Sequence, residues 1–360
     1  MGKYSLDAFE TYPLVKLRPP MAAPGDTSFT LISSPAEARG NGPFVLRPEL
    51  PGGPDEACAA LAQMACIPSG NVRPDAVVAS GCGFPEAALP AIAKAYLQGF
   101  PGIPLLSAPD DPLMAYLPDA GLWLEPDWGI LPLRLAIARN RLERRWRQHP
   151  VYARTASPLT EEVRQALARW HCTACNMPGP WGPQMALRRL MFPRDLTAGA
   201  EAPFRMWWQN LGTAPLYGPA KALLFLEKNG RLFPLTGNMP VECHLGDTTC
   251  NPLLTLPELP DGEYALLCAL EFGGKRLPLS MKVPNRDGLY SIGAVHLDHI
   301  PRPYLRTMWQ AQYADGYYPL EDPAAPEDTD ISVKKADGDR VCVDRPFAAR
   351  TAHCQREPFA

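Results

Sequence analysis

The chain lacks any long apolar run and any large excess of charge. No stretch reaches the roughly 18 consecutive apolar residues of a membrane-spanning helix, and residues 1–20 contain no apolar core of signal-peptide length. We therefore expect no membrane partner and a cytoplasmic location, or secretion if a leader has been removed. A formal net charge of -3 in 360 residues provides no field that would gather phosphates, so no nucleic-acid partner is expected.

Several signatures of cofactor chemistry are also absent. The sequence has no glycine-rich phosphate loop of the Walker or dinucleotide type and no Gly-x-Ser-x-Gly elbow. Cys172 and Cys175 have the spacing of half a zinc site, which Cys243, His244 and Cys250 would complete. However, residues three apart on a strand point to opposite faces, which does not suit joint ligation. We therefore expect buried thiols, no metal and no other cofactor.

Length and proline content bound the architecture. A chain of 360 residues suits two domains, at roughly 150 residues per domain. The 43 prolines are more than twice the usual share of about 5%. Because proline removes a backbone donor, most of them must lie in loops and at the ends of elements. The fold should therefore contain many long, stiff connections.

The first half alternates short β-rich runs with helical segments. Eight runs are typical of strands, namely residues 14–18, 29–33, 44–50, 76–80, 103–108, 121–128, 151–156 and 171–176. Between the later runs, apolar residues recur at steps of three and four, as in Leu89, Ile92, Tyr96 and Phe100. This alternation indicates an α/β fold with a parallel sheet. We predict a shortened (β/α)8 TIM-type barrel over residues 1–195.

The pattern changes near residue 200, where extended runs follow one another without helices between them. These runs are residues 204–210, 220–235, 262–272, 276–283 and 290–297. Asn229-Gly230 lies within the second run and is a strong hairpin-turn signal. We predict an antiparallel β-sandwich domain over residues 196–302. Residues 303–360 begin with an acidic, proline-rich stretch and are predicted to form a tail.

Several stretches resemble a known family. "LPAIAKAYLQGFPGIPLLSAP" resembles the helix and strand that follow the fourth barrel strand in proteins carrying the domain of unknown function called DUF4832. "LARWHCTACNMPGPW" resembles that family's last barrel strand, and "MWWQNLGTAPLYGPAKALLFL", "LPDGEYALLCAL" and "SIGAVHLD" are similar to its C-terminal sandwich. The resemblance covers most of residues 40–300. It implies a bacterial protein with a glycoside-hydrolase-like barrel joined to a β-sandwich.

Two positions depart from that family's pattern. Its members carry Trp-Gly-Glu after the fourth strand, where retaining barrel glycosidases keep their acid/base, whereas this chain has Ser80, Gly81 and Cys82. At the nucleophile position, after the seventh strand, stands Arg154. The two missing carboxylates favour a degenerate or sugar-binding protein. An active glycosidase with a rearranged carboxyl pair and a non-catalytic assembly protein are the alternatives.

The catalytic candidates are carboxylates that follow predicted barrel strands. Glycoside hydrolysis needs two carboxyls, about 5 Å apart for retention and roughly 6.5 to 9.5 Å apart for inversion. Glu49, Glu125 and Asp127 stand at such positions, and Glu49 with Asp127 is the preferred pair. Each also has a structural interpretation: Glu49 in an ion pair with Arg47 or Arg154, and Asp127 as a cap or turn residue.

Aromatic and polar side chains complete the predicted sugar site. Indole rings pack on the C–H faces of sugars, while the hydroxyls need polar partners. The substrate-binding candidates are Trp123, Trp128, His171, Asn176, Trp181 and Arg154. Trp123 and Trp128 are predicted to form the platform for an oligosaccharide or polysaccharide, with His171 orienting a hydroxyl. The alternative interpretation places Trp123 in the barrel core and Trp181 beneath the sandwich.

Overall fold

The computed structural model describes residues 14–37, 43–65, 74–241 and 246–302, and two short strands further along. The predicted tail at 303–360 therefore lies outside the described residues, apart from those two strands. The molecule combines one parallel sheet with antiparallel sheets, so the predicted mixed α/β class is confirmed. Within the described part, no helix combines the length and apolar character needed to cross a bilayer.

Seven short strands form the parallel sheet, and neighbours in sequence are neighbours in space. Strand β1 (Leu14–Leu17) comes first in the chain but belongs to an antiparallel sheet. The parallel strands are β2 (Thr30–Ile32), β3 (Phe44–Leu46), β4 (Ala76–Val78), β5 (Leu105–Ser107), β6 (Gly121–Leu124), β7 (Val151–Ala153) and β8 (Cys172–Cys175). All seven lie within runs predicted from the sequence.

The connections between these strands carry the helices. They are α1 (Pro54–Ala65), α2 (Leu89–Gly99), α3 (Ile130–Arg139), α4 (Arg145–Gln148) and α5 (Glu161–Arg169). In the described ranges, short 3-10 helices lie at Pro35–Glu37, Glu86–Ala88, Pro112–Tyr116 and Pro126–Trp128. The bounds follow local sequence: the Thr160 hydroxyl accepts a hydrogen bond from the Val163 N–H and caps α5, as a threonine at this position should. Since parallel neighbours need a crossover, strand and helix alternate.

The parallel sheet curls until its edge strands approach each other. The N–H of Phe29, just before β2, donates to the carbonyl of Cys175 in β8 over 3.3 Å. Side chains from all seven strands or their edges meet inside the curl: Phe29, Leu31, Val45, Ala76, Val78, Leu106, Trp123, Tyr152 and Ala174. The eight-stranded barrel is therefore not what the structure shows. The predicted first barrel strand is β1, which pairs with residues 190–193 in another sheet.

The remaining strands form the antiparallel part. They are β9 (Met185–Pro193), β10 (Asp195–Thr197), β11 (Glu201–Pro203), β12 (Arg205–Asn210), β13 (Ala220–Lys228), β14 (Arg231–Pro234), β15 (Pro240–Val241), β16 (Gly246–Cys250), β17 (Leu253–Thr255), β18 (Gly262–Phe272), β19 (Lys275–Arg276), β20 (Asn285–Arg286) and β21 (Leu289–Asp298). Beyond the described ranges, β22 (Lys334–Ala336) pairs with β23 (Arg340–Cys342).

Two of these sheets share one hydrophobic core. The smaller has the order β1-β9-β12-β16, and the larger has β10-β21-β18-β13-β14, with β15, β19 and β20 at its sides. Buried side chains from both, such as Phe192 of β9 and Leu266 of β18, belong to one cluster. Only β10 and β21 run parallel to each other among the described pairings of this part. The arrangement is that of a sandwich.

The hairpin between β13 and β14 confirms the turn predicted at Asn229-Gly230. Both residues have positive φ, 54° and 76°, as a type I′ turn requires. The predicted run at 276–283, in contrast, enters a strand only at its first residue, in β19. Apart from β1, the antiparallel part begins with β9 at Met185. The division into domains at residue 195 stays a prediction.

Hydrogen bonds attach the two parts to each other. The Thr213 hydroxyl donates to the carbonyl of Cys172 over 2.6 Å, and the Tyr217 hydroxyl donates to the carbonyl of Trp146 over 2.8 Å. The Gln184 amide pairs with both backbone groups of Gly25, at 2.6 and 2.7 Å. The sandwich is therefore anchored near the amino end of β8 and to the segment that leads into β2.

Candidate functional site

A cavity of about 370 Å³ opens at the carboxyl ends of β4, β5 and β6. Its walls come from these strand ends, from the residue after β3 and from α3, through Arg47, Val78, Ala79, Ser80, Cys82, Ala108, Pro109, Asp110, Asp111, Trp123, Glu125, Pro132, Leu133 and Ala136. Proteins with parallel α/β sheets bind their ligands at this end of the strands. The volume suits a small ligand.

Glu125 is the central polar residue of the cavity wall. Its Oε1 lies 2.7 Å from Arg47 Nη1, accepts a hydrogen bond from the Trp123 indole N–H over 3.0 Å, and lies 3.9 Å from Arg154 Nη1. Its Oε2 makes no hydrogen bond or ion pair with any residue that the structure describes. The side chain is 33% exposed. In Glu125, therefore, Oε1 is held by protein donors, and Oε2 can accept a hydrogen bond from a ligand.

Trp123 is a core residue with a polar role. Only 3% of its surface is exposed, and its ring packs against Phe29 with centroids 6.0 Å apart. A sugar ring cannot stack on an indole that is buried to this degree, so Trp123 does not form the predicted platform. Trp123 belongs to the buried cluster inside the curled sheet. Its N–H orients Glu125, and its edge faces the cavity.

Asp111 organises the opposite wall of the cavity. Its carboxylate accepts hydrogen bonds from the Ser80 hydroxyl (2.7 Å), the Gly81 N–H (2.9 Å) and the Leu113 N–H (2.8 Å). The Cys82 thiol lies 3.4 Å from the same carboxylate. Asp111 is only 5% exposed. Its carboxylate oxygens thus accept from four donors in the loop after β4 and in the turn that begins at Pro112. Asp111 therefore holds this loop against this turn.

Ser80, Gly81 and Cys82, which the resemblance aligns with Trp-Gly-Glu, are built into this wall. A Cβ on Gly81 would lie 2.8 Å from Leu89 Cδ2 and 3.1 Å from Leu113 Cβ, so a larger residue would force these leucines to shift. Cys82 is exposed and lines the cavity. Partial loss of water around its sulfur, and then the Asp111 charge, raise the pKa of the Cys82 thiol. A neutral thiol therefore stands where the resemblance places a carboxylate.

Asp127 and Glu49, the preferred catalytic pair, do not line the cavity. Asp127 accepts hydrogen bonds from the Thr155 hydroxyl (2.6 Å) and from the N–H groups of Ala156 (2.9 Å) and Ser157 (3.3 Å). The Thr155 hydrogen bond is the main cause that lowers the pKa of Asp127. Asp127 therefore caps the loop after β7, as its structural interpretation held. Glu49 is exposed and forms no ion pair with a described residue.

The structure places His171, Asn176 and Trp181 in structural positions. His171 precedes β8 and lies at the opposite end of the sheet from the cavity, and burial lowers its pKa. Asn176 joins the loops after β7 and β8, since its amide accepts from the Thr155 N–H (2.9 Å) and donates to the Thr155 carbonyl (2.8 Å). Trp181 is 1% exposed and donates its N–H to the Met177 carbonyl. None of the three lines the cavity.

Two predicted ligand contacts have different outcomes. Arg154, after β7, reaches Glu125 and so stands beside the cavity. Trp128 ends the 3-10 turn Pro126–Trp128, and its side chain lies outside the part of the chain that the structure describes. Of the nine predicted site residues, the structure thus brings Trp123, Glu125 and Arg154 together at one place.

The cysteines of β8 are buried thiols. Burial raises the pKa of Cys172 and of Cys175, which lie at the two ends of the strand. In the described ranges, no three His, Cys, Asp or Glu residues are grouped so that they could hold a metal ion. Cys243 and His244, the candidates for completing a zinc site, lie outside those ranges.

Sequence reasoning did not identify Asp110 and Asp111. Both follow β5, the strand between β4 and β6, and both line the cavity. A usable signal was present, because Asp111-Pro112 combines a capping residue with a proline that is preorganised for the first helical position. That signal predicts a turn, and only the sheet order shows that the turn faces Ser80.

Comparison with known proteins gives only distant likenesses. No protein-family model matches the chain, and no curated protein matches it. The CARDB domain of the PF1109 protein from Pyrococcus furiosus is 16% identical, with 32% of this chain and 93% of that chain covered and a TM-score of 0.22. The beta-glucosidase from Listeria innocua in complex with glucose is 11% identical, with 79% and 48% covered and a TM-score of 0.24.

A third solved structure is equally remote. The Niemann-Pick type C2 protein from Japanese carpenter ant is 9% identical, with 29% of this chain and 76% of that chain covered and a TM-score of 0.20. The chain spans about half of the beta-glucosidase structure that it matches. TM-scores this low carry no argument about function. The weak structural neighbours therefore include a glycosidase, and membership of the DUF4832 family stays a prediction.

Proposed function

We propose that the protein binds an oligosaccharide in the cavity at the carboxyl ends of β4, β5 and β6. The observation that carries this proposal is the geometry of Glu125, whose Oε1 is fixed by Arg47 and the Trp123 N–H while Oε2 is open. A carboxylate held from two sides is a strong, directional acceptor for a sugar hydroxyl. The exposed Asp110 and the Cys82 thiol offer further polar contacts on the facing wall.

The hydrogen bonds and ion pairs of the cavity carboxylates support binding more than hydrolysis. A glycosidase needs a carboxylic acid that can give a proton to the leaving group, usually in apolar surroundings. Asp111 already accepts hydrogen bonds from Ser80, Gly81 and Leu113, and Glu125 is paired with Arg47, so both are arranged as acceptors. The competing proposal is an active enzyme that pairs Glu125 with Asp110.

A glycan array and a panel of chromogenic glycosides test the proposal. We expect retention of a small set of oligosaccharides on the array and no turnover of the glycosides. Glu125→Gln should weaken binding of the best-retained oligosaccharide by about 10- to 100-fold, the usual range for loss of a hydrogen bond to a charged group. Glu49→Gln is the matched control, because this exposed carboxylate lies outside the cavity. The affinity of this variant for the oligosaccharide should differ from that of the wild type by less than twofold.

The remaining outcomes separate the alternatives. Turnover of a glycoside that is lost in Glu125→Gln and in Asp110→Asn would establish the enzyme and overturn the binding proposal. Neither retention nor turnover, from a chain with an unchanged circular dichroism spectrum, would also overturn it. That second result would favour the non-catalytic assembly protein.

A further inference from the structure

An exposed surface on α3 and the turn after it combines leucines with arginines. Leu131 is 65% exposed and Leu135 is 46% exposed, and residues four apart lie side by side on a helix. The exposed Arg134 and Arg139 lie beside them on the helix, and the exposed Arg141 and Arg144 follow in the turn after it. The α3 surface, as we call it, consists of Leu131, Arg134, Leu135, Arg139, Arg141 and Arg144. None of these four arginines forms an ion pair with a carboxylate in the part of the chain that the structure describes.

Exposed leucines occurring singly need no explanation, but this combination is unusual for a solvated face. Two neighbouring leucines and four arginines that form no ion pair with a described carboxylate suit a peptide that carries both carboxylates and apolar side chains. Glu143 is the single acidic residue between Leu131 and Gln148. The other side of α3, through Pro132, Leu133 and Ala136, forms a wall of the cavity, so this surface lies directly behind the proposed ligand site.

The chain itself contains a segment of matching composition. Between Thr307 and Val333 the sequence has no lysine or arginine and carries six carboxylates: Asp315, Glu321, Asp322, Glu327, Asp328 and Asp330. Tyr313, Tyr317, Tyr318 and Leu320 supply apolar surface in the same stretch. We propose that residues 313–330 bind the α3 surface of the same chain, with carboxylates on the arginines and Leu320 and the tyrosines against Leu131 and Leu135.

The length of the intervening chain permits this contact. Glu321 and Asp330 follow Arg302, the last residue of the main described range, by 19 and 28 residues. At about 3.3 Å per residue, an extended chain of this length spans roughly 60 to 90 Å. A globule of about 300 residues has a radius of gyration near 19 Å, so any point on its surface is within reach. Tethering also gives the segment a high effective concentration at that surface.

Zero-length carbodiimide cross-linking of the full chain tests the proposal. The double variant Arg134→Lys/Arg139→Lys keeps the charge of the surface and supplies amines that can couple to carboxylates. We expect cross-links from positions 134 and 139 to residues 315–330, at least fivefold more abundant by mass spectrometry than those from Lys94. Lys94 is the internal control, since it is an exposed lysine on α2, the helix that precedes α3 in the chain. Mixing isotope-labelled and unlabelled chains shows whether each cross-link lies within one molecule.

A second measurement does not depend on introduced lysines. Hydrogen exchange of the α3 amides should be at least threefold slower in the wild-type chain than in a variant with the six carboxylates replaced by Asn and Gln. Equal exchange in the two chains would overturn the proposal. Equal cross-linking from Lys94, cross-links only between different molecules, or binding of the wild-type chain to phosphatidylglycerol vesicles at 0.15 M salt through the same arginines would overturn it as well.

Discussion

Strands β2 to β8 of the parallel sheet have only three or four residues, whereas β13, β18 and β21 of the sandwich have nine, eleven and ten. In β13 buried side chains alternate with partly or fully exposed ones, so every second residue enters one large core. The short strands end soon after they enter the inner core, and polar residues such as Arg47, Ser80 and Glu125 follow at once. Both parts contain large hydrophobic cores, one within the sandwich and two around the parallel sheet, so the comparison separates them by where the proposed ligand contacts lie, at the ends of the short parallel strands.

The largest effect is expected in the sandwich core. Phe204 is 0% exposed and its ring stacks on Phe192 with centroids 5.4 Å apart. Phe204→Ala should lower the free energy of unfolding by about 3 to 5 kcal/mol, because it removes buried apolar surface and leaves a cavity. Urea unfolding measures the change. Leu232→Ala, at a leucine 41% exposed in the same part of the molecule, is the control and should stay within about 0.5 kcal/mol.

A smaller effect is expected at the polar wall of the cavity. Asp111→Ala should cost about 2 to 3 kcal/mol of unfolding free energy, because the Gly81 and Leu113 N–H groups lose their acceptor. The adjacent Asp110→Ala is the control, since Asp110 is exposed. If the two variants proved equally stable, Asp111 would not be the structural residue described here. The boundary between stabilising and ligand-binding residues within this wall would then have to be redrawn.

The smallest effect concerns pH and the loop after β7. Hydrogen bonds from Thr155, Ala156 and Ser157 hold the pKa of Asp127 below its ordinary value of about 4. A depressed carboxyl pKa stabilises the fold above the ordinary value, and that stabilisation is lost as pH falls through the lowered pKa. We expect Thr155→Val to raise the pKa of Asp127, as measured by NMR titration of its carboxyl carbon. An unchanged titration would remove Asp127 from the structural residues and return it to the catalytic candidates.

Local sequence patterns were sufficient to place the parallel strands but not to close the sheet. Each strand from β2 to β8 falls within a predicted run, because short β-branched and apolar runs between helices are a local signal. The run at residues 14–18 carries the same signal, yet it pairs with β9, more than 170 residues later in the chain. Nothing local distinguishes a parallel from an antiparallel partner at that distance, so the predicted eight-stranded barrel contained one strand too many.

The site shows the same limit. The position of Glu125 directly after a strand was enough to name it, because the carboxyl ends of parallel strands share one edge. The choice between Glu125 and Asp127 could not be made from the sequence, since it depends on which donors surround each carboxylate. The sequence does not show whether a tryptophan in a strand faces the core or a ligand. The predicted stacking platform for Trp123 therefore could not be tested without the structure.

Calorimetric titration of the best-retained oligosaccharide into three chains tests the central claim most directly. The chains are the wild type, Glu125→Gln and Asp127→Asn. The geometry predicts that Asp127→Asn binds within twofold of the wild type and that Glu125→Gln binds at least 10-fold more weakly. Loss of binding in Asp127→Asn with full affinity in Glu125→Gln would contradict the account, because the ligand would then lie outside the cavity that Glu125 lines.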